Sequence, residues 1–265
     1  MIALLGTGMM GEALLAGLLK AGTDPATIRT VDARADRAAE IADRYGVWSS
    51  TGARAVAGAD AVIVAVKPPD VPGLLDEMSA HLSPACLVIS IAAGLPVAKL
   101  EAHLPAGQPV VRAMPNTPAL VGQGMTAITP GSSATAEHLA YAGQILGAVG
   151  RVARVAEKDM DTVTALSGSG PAYLLLFAEA MIDAGVLLGL PRTLAGDLVK
   201  QTLYGTSALL RDSGEHPTIL KENVVSPGGT TAAALRVFEE HAFKAMVAAA
   251  VEACHDRSAE LGRKN

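Results

Sequence analysis

A single stretch decides the fold of this chain: Ile2-Ala3-Leu4-Leu5-Gly6-Thr7-Gly8-Met9-Met10-Gly11. Its apolar start predicts a buried strand, and its glycines fit G-x-G-x-x-G just ahead of a helical stretch. In that context, Gly6 permits a tight turn, Gly8 lets the backbone approach a pyrophosphate, and Gly11 lets helix and strand pack closely. The N–H groups of the helix N-terminus would face the phosphates. The stretch therefore predicts a dinucleotide site rather than only a tight strand-helix turn.

Outward from this stretch, short apolar runs alternate with helical segments over the first 150 residues or so. The predicted strands are Ile2–Leu5, Ile28–Val31, 61–66, 87–91 and 109–113. The predicted helices are 11–21, 34–45, 71–81, 97–104 and 132–146. This alternation is typical of an α/β fold, here a Rossmann-type doubly wound parallel sheet covered by helices.

After about residue 158 the strand pattern ends, and helices are separated by Gly and Pro clusters. We therefore predict a dinucleotide-binding domain over residues 1–158 and an all-α domain over residues 159–265. The second domain is so rich in Ala and Leu that it has more apolar face than one short bundle hides. We therefore predict an oligomer interface on this domain, and the alternative is a self-contained bundle.

The most apolar later segment, residues 173–190, carries Glu179 and Asp183 about one turn apart. These charges predict a buried helix rather than a membrane span, which needs ~20 predominantly apolar residues. The N-terminus enters a strand with no positively charged segment before it, so no signal peptide is expected. Cys86 and Cys254 fit reduced thiols, and we expect a cytoplasmic protein with no membrane partner.

Charge and composition exclude other classes of partner. The formal net charge of −5 comes from dispersed acidic and basic residues without a basic stripe, so nucleic acid is not expected. The six histidines are scattered and the two cysteines are far apart, so we predict no metal site.

Residues near the second predicted strand bear on the choice of dinucleotide. Asp32 follows that strand, about 20 residues after Gly11, where an acidic side chain holds the ribose hydroxyls of NAD. Arg34 and Arg37 stand just beyond, where a guanidinium could meet the 2′-phosphate of NADP, or could simply lie in an exposed helical turn. The residues leave NADPH and NADH both open.

Two later strand ends should face the same crevice, because ligands of open parallel sheets bind beyond the carboxyl ends of the strands. They are Ala65-Val66-Lys67-Pro68 and Ser90-Ile91-Ala92-Ala93-Gly94. Small residues in the second would let a flat nicotinamide lie against the backbone. Lys67 could instead be only a solvated turn lysine.

Three further motifs carry a resemblance that spans almost the whole chain. They are Arg112-Ala113-Met114-Pro115-Asn116-Thr117-Pro118, Leu166-Ser167-Gly168-Ser169-Gly170-Pro171-Ala172-Tyr173 and Ser226-Pro227-Gly228-Gly229-Thr230-Thr231. With the glycine motif, they resemble the pyrroline-5-carboxylate reductases. The resemblance implies reduction of the cyclic imine 1-pyrroline-5-carboxylate to L-proline with NADPH or NADH, the final step of proline synthesis. It also implies a homodimer through the helical domain, with a decameric ring of dimers as a larger assembly.

The resemblance and the strand-end pattern together assign the site residues. Those expected to bind the cofactor are Gly6, Thr7, Gly8, Met9, Met10, Gly11, Asp32, Arg34, Ala65, Val66, Lys67, Pro68, Ala92, Ala93, Gly94 and Asn116. Those expected to bind the small-molecule substrate are Asn223, Val224, Ser226, Gly228, Gly229, Thr230 and Thr231. By resemblance, Thr231 is the catalytic residue that hydrogen-bonds the ring nitrogen.

The residues of the last two motifs are consistent with these roles. Ser167 to Pro171 should launch a long helix, because serines cap and proline suits the first turn. In the segment 226–231, one hydroxyl can be explained as an ordinary helix cap. Three hydroxyls around a Gly-Gly pair favour binding of a small anion. Direct hydride transfer needs mainly orientation, which fits the lack of a His/Asp dyad in the sequence.

Two departures from the family pattern weaken any transfer of cofactor preference: Gly52 stands near a common asparagine, and Asp32 replaces a small residue. One alternative function is a reductase of another imine or a β-hydroxyacid dehydrogenase, although Lys158, Lys200 and Lys221 do not fit the lysine motif of the latter. A second alternative is a regulatory protein that senses NAD(P) without turnover.

Overall fold

The computed structural model describes residues 1–264 of the chain. Its strands are β1 (Ile2–Leu5), β2 (Ile28–Val31), β3 (Trp48–Ser49), β4 (Ala61–Val64), β5 (Leu87–Ser90), β6 (Val110–Met114), β7 (Gly124–Pro130) and β8 (Gly150–Arg154). Within the described residues they form an eight-stranded sheet in the order β3-β2-β1-β4-β5-β6-β7-β8. The predicted doubly wound α/β fold is confirmed.

The strand order reverses beside β1, which places the glycine loop. β1 pairs in parallel with β2 on one side and with β4 on the other, so Ile2 lies opposite both Ile28 and Ala61. The chain fills one half of the sheet first and then returns to fill the other. In such sheets the ligand crevice lies outside the carboxyl ends of the strands at the reversal. The loop that follows β1 therefore stands where a dinucleotide would bind.

One pairing departs from the predicted parallel sheet. β7 runs antiparallel to β6, with Val111 opposite Pro130 and Met114 opposite Ala127. The connection between them, residues 115–123, is shorter than the dozen or more residues that a parallel crossover requires. It turns back through a short 3-10 helix that ends at Gly122, whose φ is +71°. The direction of β7 thus follows from the length of the loop before it.

Helices cover the sheet and form the later part of the chain. They are α1 (Met9–Lys20), α2 (Ala35–Tyr45), α3 (Gly52–Val56), α4 (Val71–Ser79), α5 (Val97–Glu101), α6 (Ala136–Gly147), α7 (Met160–Val163), α8 (Gly170–Leu187), α9 (Arg192–Ser213), α10 (Pro217–Glu222), α11 (Thr230–Glu240) and α12 (Phe243–Lys264). β1 sends Ile2 and Leu4 into one buried cluster and Ala3 and Leu5 into another. Because both faces are covered, the central strands are continuously apolar rather than alternating.

The described chain forms two compact units. The first comprises Met1–Ser169 together with the chain from Cys254 onward, and the second comprises Gly170–Ala253. The boundary at residue 158 stays a prediction. In the observed division, residues 159–169 and the chain from Cys254 onward belong to the first unit instead of the second.

Helix α8 departs from the expectation of a buried helix. It starts at Gly170, directly after the serines that were predicted to launch it, but none of its residues is buried. Leu174, Leu175 and Leu176 are all exposed in the single chain. By length and composition, the helical stretch Glu157–Leu187 could cross a membrane. The second unit therefore presents more apolar surface than one chain covers.

Candidate active site

The three motif glycines serve different physical purposes. Gly6 has φ +95°, and a Cβ there would lie 2.7 Å from the carbonyl oxygen of Ala65. A Cβ on Gly11 would overlap the carbonyl oxygen of Gly6. A Cβ on Gly8 would meet no atom within 4 Å. The chain itself thus requires glycine at positions 6 and 11, whereas the space beside Gly8 is open to a ligand.

The N-terminus of α1 offers donors to that open space. The first bond of the helix runs from the N–H of Glu12 to the carbonyl of Gly8 at 2.9 Å, and no side chain caps the helix. The N–H groups of Met9, Met10 and Gly11 precede that bond and have no partner within the helix. Uncapped N–H groups and the helix dipole favour an anion. The residues present therefore fit the pyrophosphate of a dinucleotide.

Asp32 is fixed beside the glycine loop. Its Oδ2 accepts hydrogen bonds from the backbone N–H of Thr7 at 3.0 Å and from the Thr7 hydroxyl at 2.6 Å, and its Oδ1 accepts from the N–H of Arg34 at 3.0 Å. Burial alone would raise the pKa of Asp32, but these hydrogen bonds and the charge of Arg34 outweigh it and lower the pKa. The carboxylate is therefore an oriented anion at neutral pH.

Arg37 has a role that the sequence did not suggest. Its Nε and Nη2 donate to the carbonyl oxygen of Thr7 at 3.1 and 3.0 Å, and it pairs with Glu12 and Glu40. Its side chain is 14% exposed, so it lies neither in an exposed turn nor free to meet a phosphate. Arg37 thus binds the carbonyl oxygen of Thr7, while Asp32 binds its N–H and its hydroxyl. A sequence cannot show this, because Glu12 and Arg37 come together only when α1 packs beside α2.

The ends of β1, β4 and β5 bring three predicted segments to one edge of the sheet. Leu5 is in register with Val64, and Val64 with Ser90, so the glycine loop, residues 65–68 and residues 91–94 follow neighbouring strand ends. Lys67 is exposed, Ala92 is buried, and Gly94 has φ +71°. Contact of these segments with the cofactor stays a prediction.

Asn116 is held by its own chain. Its Oδ1 accepts from the N–H of Met125 at 2.8 Å, and its Nδ2 donates to the carbonyl of Ser167 at 3.1 Å. It thereby links the end of β6 to the segment Thr164–Gly168, which forms a π-helical turn that the sequence did not predict. Contact of Asn116 with the cofactor stays a prediction, and its side-chain amide is already committed to positioning that turn.

The predicted substrate segment lies in the second unit, between α10 and α11. Asn223 ends α10, Val224 is exposed, and Gly228 turns the chain with φ +70°. Gly229 immediately precedes α11, and a Cβ on Gly229 would overlap the hydroxyl of Ser226. The expectation that one hydroxyl caps this helix is wrong, because no side chain caps it.

The first turn of α11 has donors available for a ligand. Its first bond runs from the N–H of Ala233 to the carbonyl of Gly229 at 3.2 Å, so the N–H groups of Thr230 and Thr231 precede it. Thr231 is half-buried, whereas Ser226 and Thr230 are exposed. Backbone donors and hydroxyls in one short segment suit a small anion such as a carboxylate.

Two family models match the chain. One is described as pyrroline-5-carboxylate reductase dimerisation and covers residues 157–261, and the other is described as NADP oxidoreductase coenzyme F420-dependent and covers residues 1–94. The pyrroline-5-carboxylate reductase of Corynebacterium melassecola is 44% identical, over 99% of this chain and 98% of that protein.

Solved structures agree with these matches. A pyrroline-5-carboxylate reductase from Coxiella burnetii is similar with a TM-score of 0.93 and 32% identity, covering 98% of this chain and 97% of that one. A pyrroline carboxylate reductase from Plasmodium falciparum with NADP bound is similar with a TM-score of 0.89 and 35% identity, again covering 98% and 97%. The similarity thus extends over both units.

Proposed function

This chain belongs to the pyrroline-5-carboxylate reductase family, and from that premise we propose that it reduces 1-pyrroline-5-carboxylate to L-proline with NADPH or NADH. This reaction is the last step of proline biosynthesis. The observation that carries the proposal is the 44% identity to a reductase of that name over 99% of the chain. The similarity includes both the glycine loop and the segment before α11.

The first unit supplies the dinucleotide site. The open face of Gly8 and the uncapped N–H groups of α1 bind the pyrophosphate, while Asp32 lies beside the loop where the adenosine ribose belongs. When bound, the reduced nicotinamide supplies the hydride that the imine carbon of the substrate accepts. Arg37 and Asp32 fix Thr7, so the loop is preorganised before the dinucleotide arrives.

The second unit supplies the substrate segment. The N–H groups at the start of α11 and the hydroxyls of Ser226 and Thr230 hold the substrate carboxylate. Thr231 accepts a hydrogen bond from the N–H of the protonated ring nitrogen and is the catalytic residue. A protonated imine is already electrophilic, so these residues mainly orient the substrate, and water is the eventual source of the proton on nitrogen.

The assembly follows from the helical part of the chain. The dimerisation model of the family matches residues 157–261, and the chain is a homo-oligomer that acts on a small molecule. We propose a homodimer built through the helical unit, with a decameric ring as the larger assembly. The exposed leucines of α8 belong to this interface and not to a membrane, because Glu179 and Asp183 lie in the same helix.

We place the protein in the cytoplasm. Cys86 and Cys254 are both free thiols, as is usual in a reducing compartment.

The decisive experiment follows the absorbance of NADPH and of NADH after purified protein receives 1-pyrroline-5-carboxylate. We expect oxidation of the cofactor with stoichiometric formation of proline. Protein that binds a dinucleotide but oxidises it only with a different imine would contradict the substrate assignment. Protein that binds a dinucleotide and turns over no imine would favour a sensor.

A further inference from the structure

Asp32 stands where the two dinucleotides differ. It follows β2 directly, and the N–H of Gly6 donates to the carbonyl of Val31 at 2.8 Å, so the loop and the end of β2 are tied together. Thr7 then holds Oδ2 of Asp32 through two hydrogen bonds. The side chain is 12% exposed and cannot swing away without losing these bonds. NADPH carries a phosphate at the ribose 2′-position, and NADH carries a hydroxyl there.

The chemistry of this carboxylate separates the two groups. An ionised carboxylate only accepts hydrogen bonds. Its Oδ1 receives a single hydrogen bond from backbone, that of the Arg34 N–H, which leaves acceptor capacity for a ribose hydroxyl. A 2′-phosphate is largely deprotonated at neutral pH and would bring negative charge against a fixed anion.

The arginines of this region do not reverse that preference. Arg37 is committed to Glu12, to Glu40 and to the carbonyl of Thr7. Arg44 also pairs with Glu12 and Glu40. Arg34 is 65% exposed, and its Nε lies 3.8 Å from Oδ1 of Asp32, so its charge is already opposed by that carboxylate. In Arg34, a 2′-phosphate would therefore meet a cation that Asp32 already opposes rather than a free one.

We infer that Asp32 makes this chain select NADH over NADPH. The inference rests on the proposed function only in requiring that the glycine loop binds a dinucleotide. Asp32 lies in the first unit, so its effect on dinucleotide binding can be measured without the imine.

Calorimetric titration of wild-type protein with NADH and with NADPH, without imine, tests the inference directly. We expect NADH to bind about tenfold more tightly or better, because a hydrogen bond to a charged group is replaced by repulsion. Equal affinity, or tighter binding of NADPH, overturns the inference while leaving the proposed function in place. Failure of both dinucleotides to bind overturns the proposed function and the inference with it.

Three variants then identify the residue responsible. Asp32→Asn removes the charge at nearly constant shape, and we expect it to reduce the NADH preference about tenfold. Asp36→Asn, at an exposed position in the first turn of α2, makes the same change of net charge and should leave the preference unchanged. Arg34→Ala should raise the preference for NADH over NADPH by no more than a few-fold. An unaltered preference in folded Asp32→Asn, shown by its unfolding transition, also overturns the inference.

Discussion

At the scale of single residues, the glycines of one motif are not interchangeable. Gly11 is needed because a Cβ would overlap the carbonyl oxygen of Gly6, whereas Gly8 faces open space. Glycine at position 11 is therefore required by folding, whereas glycine at position 8 leaves space for a ligand. The motif letters are the same, but the atoms around them differ.

This difference gives a paired prediction. Gly11→Ala should destabilise the protein by about 1 to 3 kcal/mol, because the added methyl group forces the loop apart. Gly8→Ala should change the free energy of unfolding by no more than about 0.5 kcal/mol but should weaken dinucleotide binding. Urea unfolding and calorimetry measure the two effects. A folded Gly8→Ala variant with unchanged affinity would contradict an open phosphate site at Gly8.

Thr231 is the residue on which the catalytic proposal depends. Thr231→Ala should lower kcat/KM for the imine by about tenfold to a hundredfold through loss of the hydrogen bond at the nitrogen. Thr231→Ser keeps the hydroxyl and should restore most of the rate. Steady-state kinetics at fixed cofactor provide the measurement. Full turnover with unchanged substrate affinity in Thr231→Ala would show that another group contacts the nitrogen.

At the scale of elements, α1 and α2 are joined by a cluster of charges around Glu12. Glu12 accepts hydrogen bonds from Arg44 at 2.6 Å and from the hydroxyl of Tyr45 at 2.8 Å, and it also pairs with Arg37. Burial raises the pKa of Glu12, but these hydrogen bonds and charges outweigh it, so the pKa is lowered. Because Arg37 also holds Thr7, this cluster connects the packing of two helices to the shape of the glycine loop.

Glu12→Gln should therefore lower stability by about 1 to 3 kcal/mol at neutral pH, since it leaves charged donors without their acceptor. The lowered pKa fixes the sign of the pH dependence. The contribution of the carboxylate is complete above its unfolded pKa of about 4.3 and is lost as the pH falls through the lower folded value. Urea unfolding of both proteins from pH 7 to pH 3 should show the two stabilities converging at the acid end.

Glu40→Gln is the matched control. Glu40 pairs with the same two arginines, but its side chain is 44% exposed against 22% for Glu12. Its replacement should cost less than about 1 kcal/mol. A cost equal to that of Glu12→Gln would mean that burial of the cluster does not matter.

At the scale of the whole molecule, the helical unit leaves its leucines uncovered in the single chain. Leu174, Leu175 and Leu176 are consecutive and exposed, as are Leu187 and Leu188 at the end of the same segment. Many exposed leucines in one helical segment indicate an interaction site. The family dimerisation model covers the same helices, so we propose a second copy of the chain as the partner that covers these leucines.

Leu175→Glu should shift the protein from oligomer towards monomer, because a carboxylate would be buried without a partner in the interface. Light scattering at several protein concentrations measures the shift. Ala106→Glu adds the same charge on an exposed turn of the first unit and should leave the mass unchanged. Association of the wild-type protein with vesicles, with no oligomer in solution, would instead assign α8 to a membrane.

The sequence by itself determined the central strands, the glycine loop and the family. β1 and β2 are predicted with their observed limits. β1 is an apolar run covered on both faces, which needs no tertiary detail to be recognised. β3, β7 and β8 lie outside the predicted strands. β3 has only two residues, and β8 carries two arginines at the edge of the sheet. Edge strands of this kind give little periodic signal.

Only the tertiary structure decided which groups are free to act. The sequence offered Arg34 and Arg37 as equal candidates for a phosphate, and the packing of α1 beside α2 committed Arg37 to Glu12 and to the carbonyl of Thr7. It also fixed Asp32 against Thr7 and left Gly8 open. Local patterns specify strands and loops, but the partner of a charged side chain comes from a distant part of the chain. That partner is known only when the elements have packed.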